Sequence, residues 1–190
     1  MLDRDKIIKR LKATLDPARF RHSLRVEKIA LALAKKHGGS TSLVIPAALL
    51  HDCGRRFDRR GLLRQAKKLG LPIDPVSRFE PKLLHAAIGA VLARREFGVR
   101  SAAVLRAIGS HTVGAPNMGR LEKIIFLADH IEEGRRFAGV KKVRRLAFRN
   151  MDAAIIASLT GTIAHLLAKK FPVFAGTVEV RNSLILKKNK

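Results

Sequence analysis

The amino-acid sequence predicts an all-α protein of about eight or nine helices that form one bundle. Apolar residues recur at helical spacing along nearly the whole chain, and Pro, Gly, Ser, Thr and Asp residues lie where one periodic segment gives way to the next. The length of 190 residues suits a single domain, and 47% hydrophobic residues with a mean hydropathy of +0.01 provide enough apolar material for a buried core. We find no internal repeat and no linker long enough to divide the chain.

Boundary residues divide the first half of the chain into five predicted helices. Proline is favoured in the first helical turn and glycine just beyond the last, so both mark helix ends. In chain order, the five are an amphipathic helix with Ile7, Ile8, Leu11 and Leu15 on one face, a helix from Asp16-Pro17 to Gly38-Gly39, a third from Ser40-Thr41-Ser42 to near Gly54, a weak helix after the charged stretch 55–64 that Gly70 and Pro72 end, and a helix from Glu80-Pro81 to Gly98.

The second half of the chain is predicted to be helical as well. In chain order we expect a helix from Ser101 to near Gly109, a loop over 113–117, a helix from about Gly119 to Glu133, and helices over 140–149 and 151–171, which the pattern leaves open as continuous or separate. The tail from Thr177 to Lys187 is ambiguous because its TVEV segment alternates like a strand. A lone strand has no partner here, so we predict a helix capped by Thr177.

Composition excludes several classes of protein. Lys and Arg total 39 against 15 Asp and Glu, a formal net charge of +24, yet the apolar content rules out intrinsic disorder as the main state. The single cysteine, Cys53, cannot form an internal disulfide, which fits a reducing compartment rather than a disulfide-stapled secreted domain. The N-terminus is charged and carries no apolar signal core. We therefore expect a cytoplasmic protein.

One uncharged, largely apolar run resembles a membrane span in composition. It covers 153–168, which is shorter than the ~20 apolar residues that a spanning helix needs, and it contains Ser, Thr, Gly and His residues. We expect this run to be a buried helix of the core, and we expect no membrane partner.

Histidine and aspartate side chains lie in register with the apolar stripes of five predicted helices. His22 precedes Val26, Ile29 and Leu33 at intervals of four, seven and eleven residues. Helical side chains at such intervals share one face, so these polar groups are expected to point into the core. The same register holds for the other members of the set, which are His51, Asp52, His85, His111 and Asp129.

A buried metal centre explains this set as a whole. Any one of the histidines could be a hydrogen-bonded core residue, but burying several imidazoles and two carboxylates costs a few kcal/mol each without compensation. A divalent metal compensates them together, because neutral imidazole nitrogens and carboxylate oxygens are its natural ligands. The adjacent His51 and Asp52 diverge by ~100° on a helical turn, so they can bind one metal from two directions or bridge two. We interpret His130 and His165 as structural and Cys53 as a packing residue.

With these residues in their surrounding motifs, the sequence resembles the HD-domain metal-dependent phosphohydrolases. More narrowly, it is similar to the YqeK-type bacterial symmetrical diadenosine tetraphosphatases. The resemblance covers almost the whole chain, and 107–140 is its most specific stretch. The motifs that carry it are Arg19-Phe20-Arg21-His22, AALLHDCGR, LLHAAIGA, AIGSHTVGAPNMGRLEKIIFLADHIEEGRRFAGV and the tail FPVFAGTVEVRNSLI.

The resemblance implies a domain organisation and a metal. It implies a single HD-type domain over 1–190, with a core of about 17–135 on which C-terminal helices within 140–187 pack. It implies a central site of one or two ions, with iron as the expected metal, bound by His22, His51, Asp52 and Asp129. His85 and His111 match positions that complete a second metal site or contact the phosphates.

The resemblance also implies how a nucleotide binds. Thr112 and Arg135 match nucleotide-binding positions, and 172–177 matches a loop that closes over the adenosine end. The expected substrate-binding residues are His22, Arg55, His85, His111, Thr112, Asp129, Arg135, Pro172, Val173, Phe174, Ala175, Gly176 and Thr177. Two positions depart from the family pattern: Arg55 stands where lysine is usual, and Glu133 replaces a proline and adds an acidic group close to the expected site.

The implied reaction is metal-dependent hydrolysis of diadenosine tetraphosphate to two ADP. A metal lowers the pKa of its bound water from 15.7 towards ~7, so a metal-activated water would attack an inner phosphorus without a Ser or Cys nucleophile. The expected catalytic residues are Asp52, His85, His111 and Arg55. Another HD chemistry, a nucleotidase or a guanosine polyphosphate hydrolase, stays open. Cyclic dinucleotide phosphodiesterases need a Gly-Tyr-Pro element, and this chain has no tyrosine.

Nucleic-acid binding is an alternative from a different class. Seven basic residues and no acidic residue lie between Arg135 and Arg149, and Lys141, Arg145 and Arg149 share one helical face that could track phosphates. This interpretation leaves the inward His and Asp residues unexplained, so we expect a solvated face with at most weak, nonspecific nucleic-acid binding. The expected partner is a small nucleotide, and the oligomeric state stays open, with a homodimer as one candidate.

Overall fold

The computed structural model describes residues 3–188, and within that range the chain is helical with no β-strand. The all-α prediction is confirmed. Two 3-10 helices, Cys53–Arg56 and Pro81–Leu84, interrupt the described range. Its eleven α-helices are α1 (Arg4–Thr14), α2 (Pro17–His37), α3 (Thr41–Leu50), α4 (Arg59–Lys68), α5 (Pro75–Phe79), α6 (His85–Phe97), α7 (Ala102–Ser110), α8 (Arg120–Ile131), α9 (Val140–Ala147), α10 (Met151–Ala168) and α11 (Ala175–Lys188).

The helices of the described range outnumber the eight or nine predicted, because polar caps start helices where the apolar pattern is weak. The Asp58 side chain accepts a hydrogen bond from the first turn of α4, so this helix begins within the predicted charged stretch. Asp74 accepts two backbone hydrogen bonds and starts the five-residue α5. Asn150 caps α10 in the same way and thereby separates it from α9.

The C-terminal helix begins earlier than predicted. Because α11 starts at Ala175, Thr177 lies inside its first turn and is buried, so the predicted capping role of Thr177 is wrong. Val180 and Leu184 follow Thr177 at intervals of three and seven residues and are also buried. This face packs the helix against α10.

Helix α8 lies at the centre of the core. Its five consecutive residues from Ile124 to Ala128 are fully buried, so apolar surface surrounds the helix on all sides. It packs against α2, α3, α7, α9 and α10, while α2 pairs with α3 and α6 pairs with α7. Each fully buried aliphatic side chain contributes ~1.5–3 kcal/mol to the stability of the fold. The buried segment of α8 therefore keeps the helices that carry the predicted site residues next to one another.

Helix α10 is less buried than predicted. We expected 153–168 to form a buried helix, but only 22% of Met151–Ala168 is buried, so that prediction is wrong. The first half contributes buried residues such as Ile155 and Leu159, whereas Leu167 near the end is 62% exposed. Among the described residues, α10 is the one helix that could span a membrane by length and composition, which alone are weak support for a span. It packs against α8, α9 and α11.

Candidate metal centre and adjoining cavities

The His51–Asp52 pair lies where α3 ends. We predicted that this helix runs to near Gly54, but it ends at Leu50, and Asp52 leaves the helical conformation with φ −102° and ψ 12°. The pair therefore straddles a helix end instead of lying on a regular turn. Gly54 lies directly against α6, where an added Cβ would come within 2.3 Å of the His85 carbonyl oxygen. This close approach, which needs a glycine, brings Asp52 to His85.

Four predicted ligands gather from α2, the end of α3 and α8. His22 Nε2 lies 3.2 Å from His51 Nε2 and 2.9 Å from Asp129 Oδ1. Asp52 Oδ2 lies 3.7 Å from His22 Nε2 and 3.6 Å from His51 Nε2. The tertiary fold thus brings together His22, His51, Asp52 and Asp129, the four residues that the family resemblance implies as ligands.

The other oxygen of Asp52 faces a second set of donor atoms. Asp52 Oδ1 lies 3.1 Å from His85 Nε2 and 3.7 Å from His111 Nε2, and these two nitrogens are 3.0 Å apart. The hydroxyl oxygen of Thr112 lies 3.3 Å and 3.2 Å from the same nitrogens. The Asp52 carboxylate therefore lies between the two sets, with one oxygen toward each.

The inward orientation of the six His and Asp side chains is confirmed. His51 and His85 are fully buried, and Asp52 is 2% exposed. The Asp129 side chain is the most accessible of the set at 14%. Groups this buried need partners or a cation to offset the cost of removing them from water.

Hydrogen bonds fix the orientation of each imidazole. His51 Nδ1 donates to the Ala48 carbonyl over 2.7 Å, and His111 Nδ1 donates to the Ile108 carbonyl over the same distance. His85 makes the equivalent bond to Lys82. In all three residues the partner is the carbonyl three positions earlier, so Nδ1 carries the hydrogen and the lone pair on Nε2 points into the centre.

His22 is held differently, by the buried carboxylate of Glu132. His22 Nδ1 lies 3.3 Å from Glu132 Oε1, and Glu132 is 2% exposed. Arg25 Nε donates to this carboxylate over 2.5 Å and the Gly134 N–H donates over 2.6 Å. A carboxylate that holds a histidine in this way is typical of metal centres. The sequence alone does not reveal that Glu132 holds His22, because the two residues are 110 positions apart.

Burial and neighbouring charges set the protonation of the centre. Burial lowers the pKa of His51 to about 4 and also lowers the pKa of His85. Burial acts to raise the pKa of Asp52, but the neighbouring His51, His111 and His85 outweigh it and hold that pKa well below its usual range. At neutral pH His51 and His85 are therefore uncharged, and Asp52 is ionised.

This donor set fits a divalent metal ion. Nε2 lone pairs that face one another at 3.0–3.2 Å repel unless a cation lies between them. One group of donor atoms close enough to share an ion comprises His22, His51 and Asp129, and a second comprises His51, Asp52 and His111. Imidazole nitrogens and carboxylate oxygens suit zinc, iron and manganese.

Three arginines lie over the carboxylates of the centre. Arg55 Nε is 3.4 Å from Asp52 Oδ1, and Arg135 forms an ion pair with Asp129. Arg19 Nη1, which the sequence analysis did not single out, is 2.8 Å from Asp52 Oδ2. Its signal in the sequence was its place three residues before His22 on the same helical face.

Glu133 does not belong to the centre. An acidic group close to the site was the expectation here, and the structure shows the Glu133 side chain exposed and 2.6 Å from Lys28 Nζ on α2. Its neighbour Glu132 turns inward instead, so two adjacent glutamates point to opposite environments.

A first cavity of about 320 Å³ adjoins Thr112. Three phenylalanines are among its lining residues: the rings of Phe79 and Phe171 lie 5.7 Å apart in an edge-to-face arrangement, and Phe174 is the third. Pro172 and Thr177 of the predicted 172–177 loop also line it, whereas Val173, Ala175 and Gly176 of that loop do not.

A second cavity of about 630 Å³ adjoins the first and shares wall residues with it. Phe137, Lys142 and Gly161 line this second cavity alone, and the residues common to both are His130, Thr162, His165 and Leu166. His130 stacks on Phe126 with ring centroids 5.0 Å apart, and burial lowers its pKa. Interpreted from the sequence as structural, His130 and His165 thus also face these cavities.

Cys53 is a packing residue, in line with its interpretation from the sequence. It is buried, and its Sγ donates to the Gly89 carbonyl over 3.4 Å. Burial raises the pKa of the thiol to about 12, so the thiol stays protonated and unreactive.

The basic stripe on α9 is exposed as predicted. Lys141 and Arg145 on α9 are exposed, and so is Arg149, which lies two residues beyond the end of α9 and therefore not on its helical face as predicted. Arg144 turns inward instead and donates to the carbonyls of Ile131 and Glu132, where it satisfies the C-terminal end of α8.

Comparisons with known proteins match most of the chain. The HD domain family model matches residues 19–134. A protein of Halalkalibacterium halodurans named symmetrical bis(5'-nucleosyl)-tetraphosphatase is 39% identical over 97% of this chain and 98% of its own length, and a Bacillus subtilis protein of the same name is 34% identical over the same shares. The crystal structure of a predicted HD superfamily hydrolase involved in NAD metabolism, from Clostridium acetobutylicum, matches with a TM-score of 0.94 at 35% identity over 98% of this chain and 99% of that one.

Proposed function

This chain belongs to the HD domain family, and on that premise we propose that it cleaves diadenosine tetraphosphate symmetrically into two ADP by metal-dependent hydrolysis. The observation that carries the proposal is the Asp52 carboxylate, which lies between two sets of donor atoms with one oxygen toward each. Paired metal positions are typical of centres that act on phosphate esters. The relatives named symmetrical bis(5'-nucleosyl)-tetraphosphatase support this choice of substrate, because they match almost the whole chain.

We propose that His22, His51, Asp52 and Asp129 hold the metal and that iron is the metal in the cell. His85 and His111 either complete a second metal position around Asp52 or contact the phosphates. When bound, the metal lowers the pKa of a coordinated water towards ~7 and polarises a phosphoryl oxygen. The uncharged imidazoles of His51 and His85 and the ionised carboxylate of Asp52 are donors of the kind that this chemistry needs.

Arginine side chains bind and orient the tetraphosphate in this proposal. The side chains of Arg19, Arg55 and Arg135 are 32%, 24% and 37% exposed, so each can turn from its carboxylate toward a ligand. Fixed cations at this position stabilise negative charge as it grows on the phosphoryl oxygens. Together with Arg55, the residues that we place closest to the reacting phosphorus are Asp52, His85 and His111.

The first cavity takes one nucleoside of the substrate. Thr112 lies between this cavity and the His85–His111 pair, so its hydroxyl is placed to donate to a phosphate oxygen. Aromatic walls from Phe79, Phe171 and Phe174 suit a purine ring, which stacks or packs edge to face on such groups. The sequence resemblance implies a loop over 172–177 at this end of the site, but residues 175–177 form the first turn of α11, so Pro172 and Phe174 from the loop and Thr177 from the helix line the cavity there.

We also propose that the protein works in the cytoplasm as one domain, with its core over 17–135 and the helices of 140–187 packed on it. The single buried thiol is compatible with a reducing compartment. A homodimer stays a prediction.

Nucleic-acid binding stays a second candidate function, because Lys141, Arg145 and Arg149 form an exposed basic stripe. This function would be supported if the protein retained RNA with an affinity that falls steeply as the salt concentration rises, and if it hydrolysed no nucleotide.

The proposed function is tested by metal analysis and product analysis of the same preparation. We expect protein purified without oxygen to contain iron and to convert diadenosine tetraphosphate to ADP alone. In water enriched in heavy oxygen, one ADP of each pair should gain a solvent oxygen, because attack is at an inner phosphorus. Formation of AMP and ATP would place the attack at an outer phosphorus and contradict symmetrical cleavage.

Two variants separate the metal centre from general effects of charge. Asp52→Asn keeps the shape of the side chain but removes the bridging charge, so it should lose most of the metal and the activity. Glu133→Gln removes an exposed carboxylate that contacts only Lys28 and should keep both. Full metal content in Asp52→Asn would overturn the ligand assignment.

A further inference from the structure

We propose that Val180 of α11 is a positioning residue for the hydrolysis, because it holds the loop over 112–118 so that the Thr112 hydroxyl lies at the His85–His111 pair. This inference rests on the proposed function and deepens it, since it names a residue of the C-terminal helix on which turnover depends. Val180 touches no ligand in this proposal and acts only through Thr112.

The Thr112 hydroxyl is held by no side chain outside the centre itself. Its oxygen lies 3.3 Å from His85 Nε2 and 3.2 Å from His111 Nε2, and it has no other hydrogen-bond partner among residues 3–188. We place both nitrogens at the metal or the phosphates, so neither holds the hydroxyl once a ligand is bound. The backbone of the 112–118 loop, which begins directly after His111 at the end of α7, therefore sets the position of Thr112 during turnover.

The 112–118 loop adopts a conformation that needs support from outside. Gly114 has φ +79° and Asn117 has φ +59°, so both lie in the left-handed region, which a residue with a side chain adopts at a cost. The Gly114 N–H donates to the Ser110 carbonyl over 2.8 Å and ties the start of the loop to α7. The second half of the loop is tied to α11 instead, where Lys187 Nζ donates to Asn117 Oδ1 over 2.7 Å.

Val180 is the contact between α11 and the middle of this loop. A Cβ added at Gly114 would lie 3.1 Å from Val180 Cγ1 and 3.4 Å from Cγ2, so both methyl groups of the valine lie against the glycine. Glycine permits this close approach, and valine presents a stiff surface because its β-branched side chain has few rotamers in a helix. Val180 is 1% exposed, so the contact is enclosed by protein.

Helix α11 is itself held in place around Val180. It packs along α10, and Arg181 Nε donates to Thr160 Oγ1 of that helix over 2.8 Å. Thr177, one turn before Val180, is buried and lines the first cavity, where we place a nucleoside. Helix α11 thus extends from the substrate cavity to Asn117, and Val180 lies between these two points.

Loss of the Val180 contact should slow the reaction more than it weakens binding. We place the Thr112 hydroxyl at the reacting phosphoryl group, where a hydrogen bond strengthens as negative charge grows in the transition state. An interaction of this kind contributes to kcat more than to KM. We expect Val180→Ala to lower kcat by about three- to tenfold, the effect of weakening one hydrogen bond, and to change KM less than twofold.

Two further variants separate the shape of residue 180 from the stability of the protein. Val180→Thr keeps two branches on Cβ but buries a hydroxyl, so it should destabilise the protein and yet keep kcat within twofold of wild type. Leu184→Ala is the matched control for lost packing, because Leu184 is buried on the same face one turn later, whereas the nearest neighbours of a Cβ at Gly114 belong to Val180 and Met118. It should lower the melting temperature at least as much as Val180→Ala and leave kcat within twofold.

A double-mutant cycle tests whether Val180 acts through Thr112. Thr112→Val removes the hydroxyl but keeps the shape of the side chain, and it should itself lower kcat. In that background Val180→Ala should cause no further loss, because the group that Val180 positions is absent. The metal content of every variant should equal that of wild type, because none of the altered residues is a proposed ligand.

If Val180→Ala fails to fold, Lys187→Gln provides the same cycle at an exposed position by removing the contact with Asn117. It should lower kcat by about twofold when Thr112 is present and have no effect in Thr112→Val.

Several outcomes would overturn the inference while symmetrical cleavage by the wild type stands. They are an unchanged kcat in Val180→Ala, losses that multiply in the Thr112→Val background, and a Val180→Thr or Leu184→Ala protein as slow as Val180→Ala. A wild-type protein that does not cleave diadenosine tetraphosphate would remove the proposed function and the inference together.

Discussion

At the scale of single residues, the metal centre depends on how its imidazole rings are held. Three histidines donate Nδ1 to a carbonyl within their own helical turn, whereas His22 relies on Glu132, a carboxylate on a distant part of the chain. A negative partner makes Nε2 of His22 a stronger donor to a metal than a carbonyl does. Glu132 is therefore a positioning residue for one ligand.

Glu132→Gln is expected to weaken metal binding by about 10–100-fold, because it keeps the hydrogen-bonding shape but removes the negative charge next to His22. The measurement is the metal content that remains as a chelator is titrated, followed by elemental analysis. Glu133→Gln removes the same charge one residue away at an exposed site and should behave as wild type. A Glu132→Gln protein that holds metal as tightly as wild type would show that the carbonyl-like contact is sufficient.

The sequence predicts the six inward side chains but not the residues that support them. His22 can be placed because it shares a helical stripe with Val26 and Leu33, and a stripe specifies which face is buried. Glu132 lies at the end of α8, where periodicity no longer specifies a direction, and its partners come from α2. Contacts of this kind arise only when helices pack, so a single sequence does not reveal them.

At the scale of elements, the centre depends on the crossing of the 3-10 helix Cys53–Arg56 with α6. We expect Gly54→Ala to destabilise the protein by about 2 kcal/mol or more, because the new methyl group would overlap the His85 carbonyl and cannot move aside. The same displacement would separate Asp52 from His85 and lower activity. Chemical denaturation and initial rates measure the two effects.

Gly89 is the control for that crossing. It lies on α6 opposite Gly54, but a Cβ there would meet its neighbours at 3.5 Å, an ordinary contact. Gly89→Ala should therefore be neutral or stabilise the helix by up to ~1 kcal/mol. If Gly54→Ala lowers the stability and Gly89→Ala does not, the steric constraint lies at Gly54. Equal changes in stability for the two variants would contradict this.

A charged cluster ties three elements together and makes their stability depend on pH. Arg56 donates to both carboxylate oxygens of Glu96, and Arg10 of α1 donates to one of them. The Arg56 hydrogen bonds, above all, hold the pKa of Glu96 below its usual value. A lowered pKa in the folded state means that the ionised form stabilises the fold, and that this contribution is lost as pH falls.

Glu96→Gln should therefore lower the free energy of unfolding by ~1 kcal/mol at pH 7. The difference from wild type should be fully present above the unfolded pKa of ~4.3 and vanish as pH falls through the lower folded value. Urea unfolding at a series of pH values measures it. A difference that persists unchanged at pH 3 would assign the effect to packing and not to charge.

Helix boundaries in the sequence are clearest where a cap and a stripe coincide. α2 begins at Pro17 and ends before Gly38 as predicted, because both signals are present. α3 was extended too far because Val44, Ala48 and His51 continue one face even though the chain leaves the helix at Asp52. The apolar composition of α10 predicts a core helix, but composition alone does not specify how much of a helix the rest of the protein covers.

At the scale of the whole molecule, the net charge of +24 is largely uncompensated on the surface. Many acidic side chains are already used in caps or in ion pairs within the fold. They include Asp16, Asp58, Asp74, Glu27, Glu96, Glu132 and Asp152. The remaining field is therefore strongly positive and attracts anions such as polyphosphates.

We expect KM for diadenosine tetraphosphate to rise about three- to tenfold between ~50 and ~500 mM KCl, because salt screens the field that attracts the substrate. The kcat should change little, since groups in the buried centre are screened much less than surface charges. Steady-state kinetics across the salt series checks both. A constant KM with a falling kcat would place the salt effect in the metal centre instead.

The hydrogen bonds that hold His51, His85 and His111 to backbone carbonyls also affect which metal ion the centre binds. Rings fixed by their own helical turns present one unchanging arrangement of nitrogen and oxygen atoms to every divalent ion that arrives. Affinity for such donors rises from manganese through iron and nickel to copper, whatever the cell requires. Discrimination is thus left to which ions the cell makes available. Protein produced in cells grown in iron-poor, zinc-rich medium should fold correctly and contain zinc. Its catalytic activity should then differ from that of protein that contains iron.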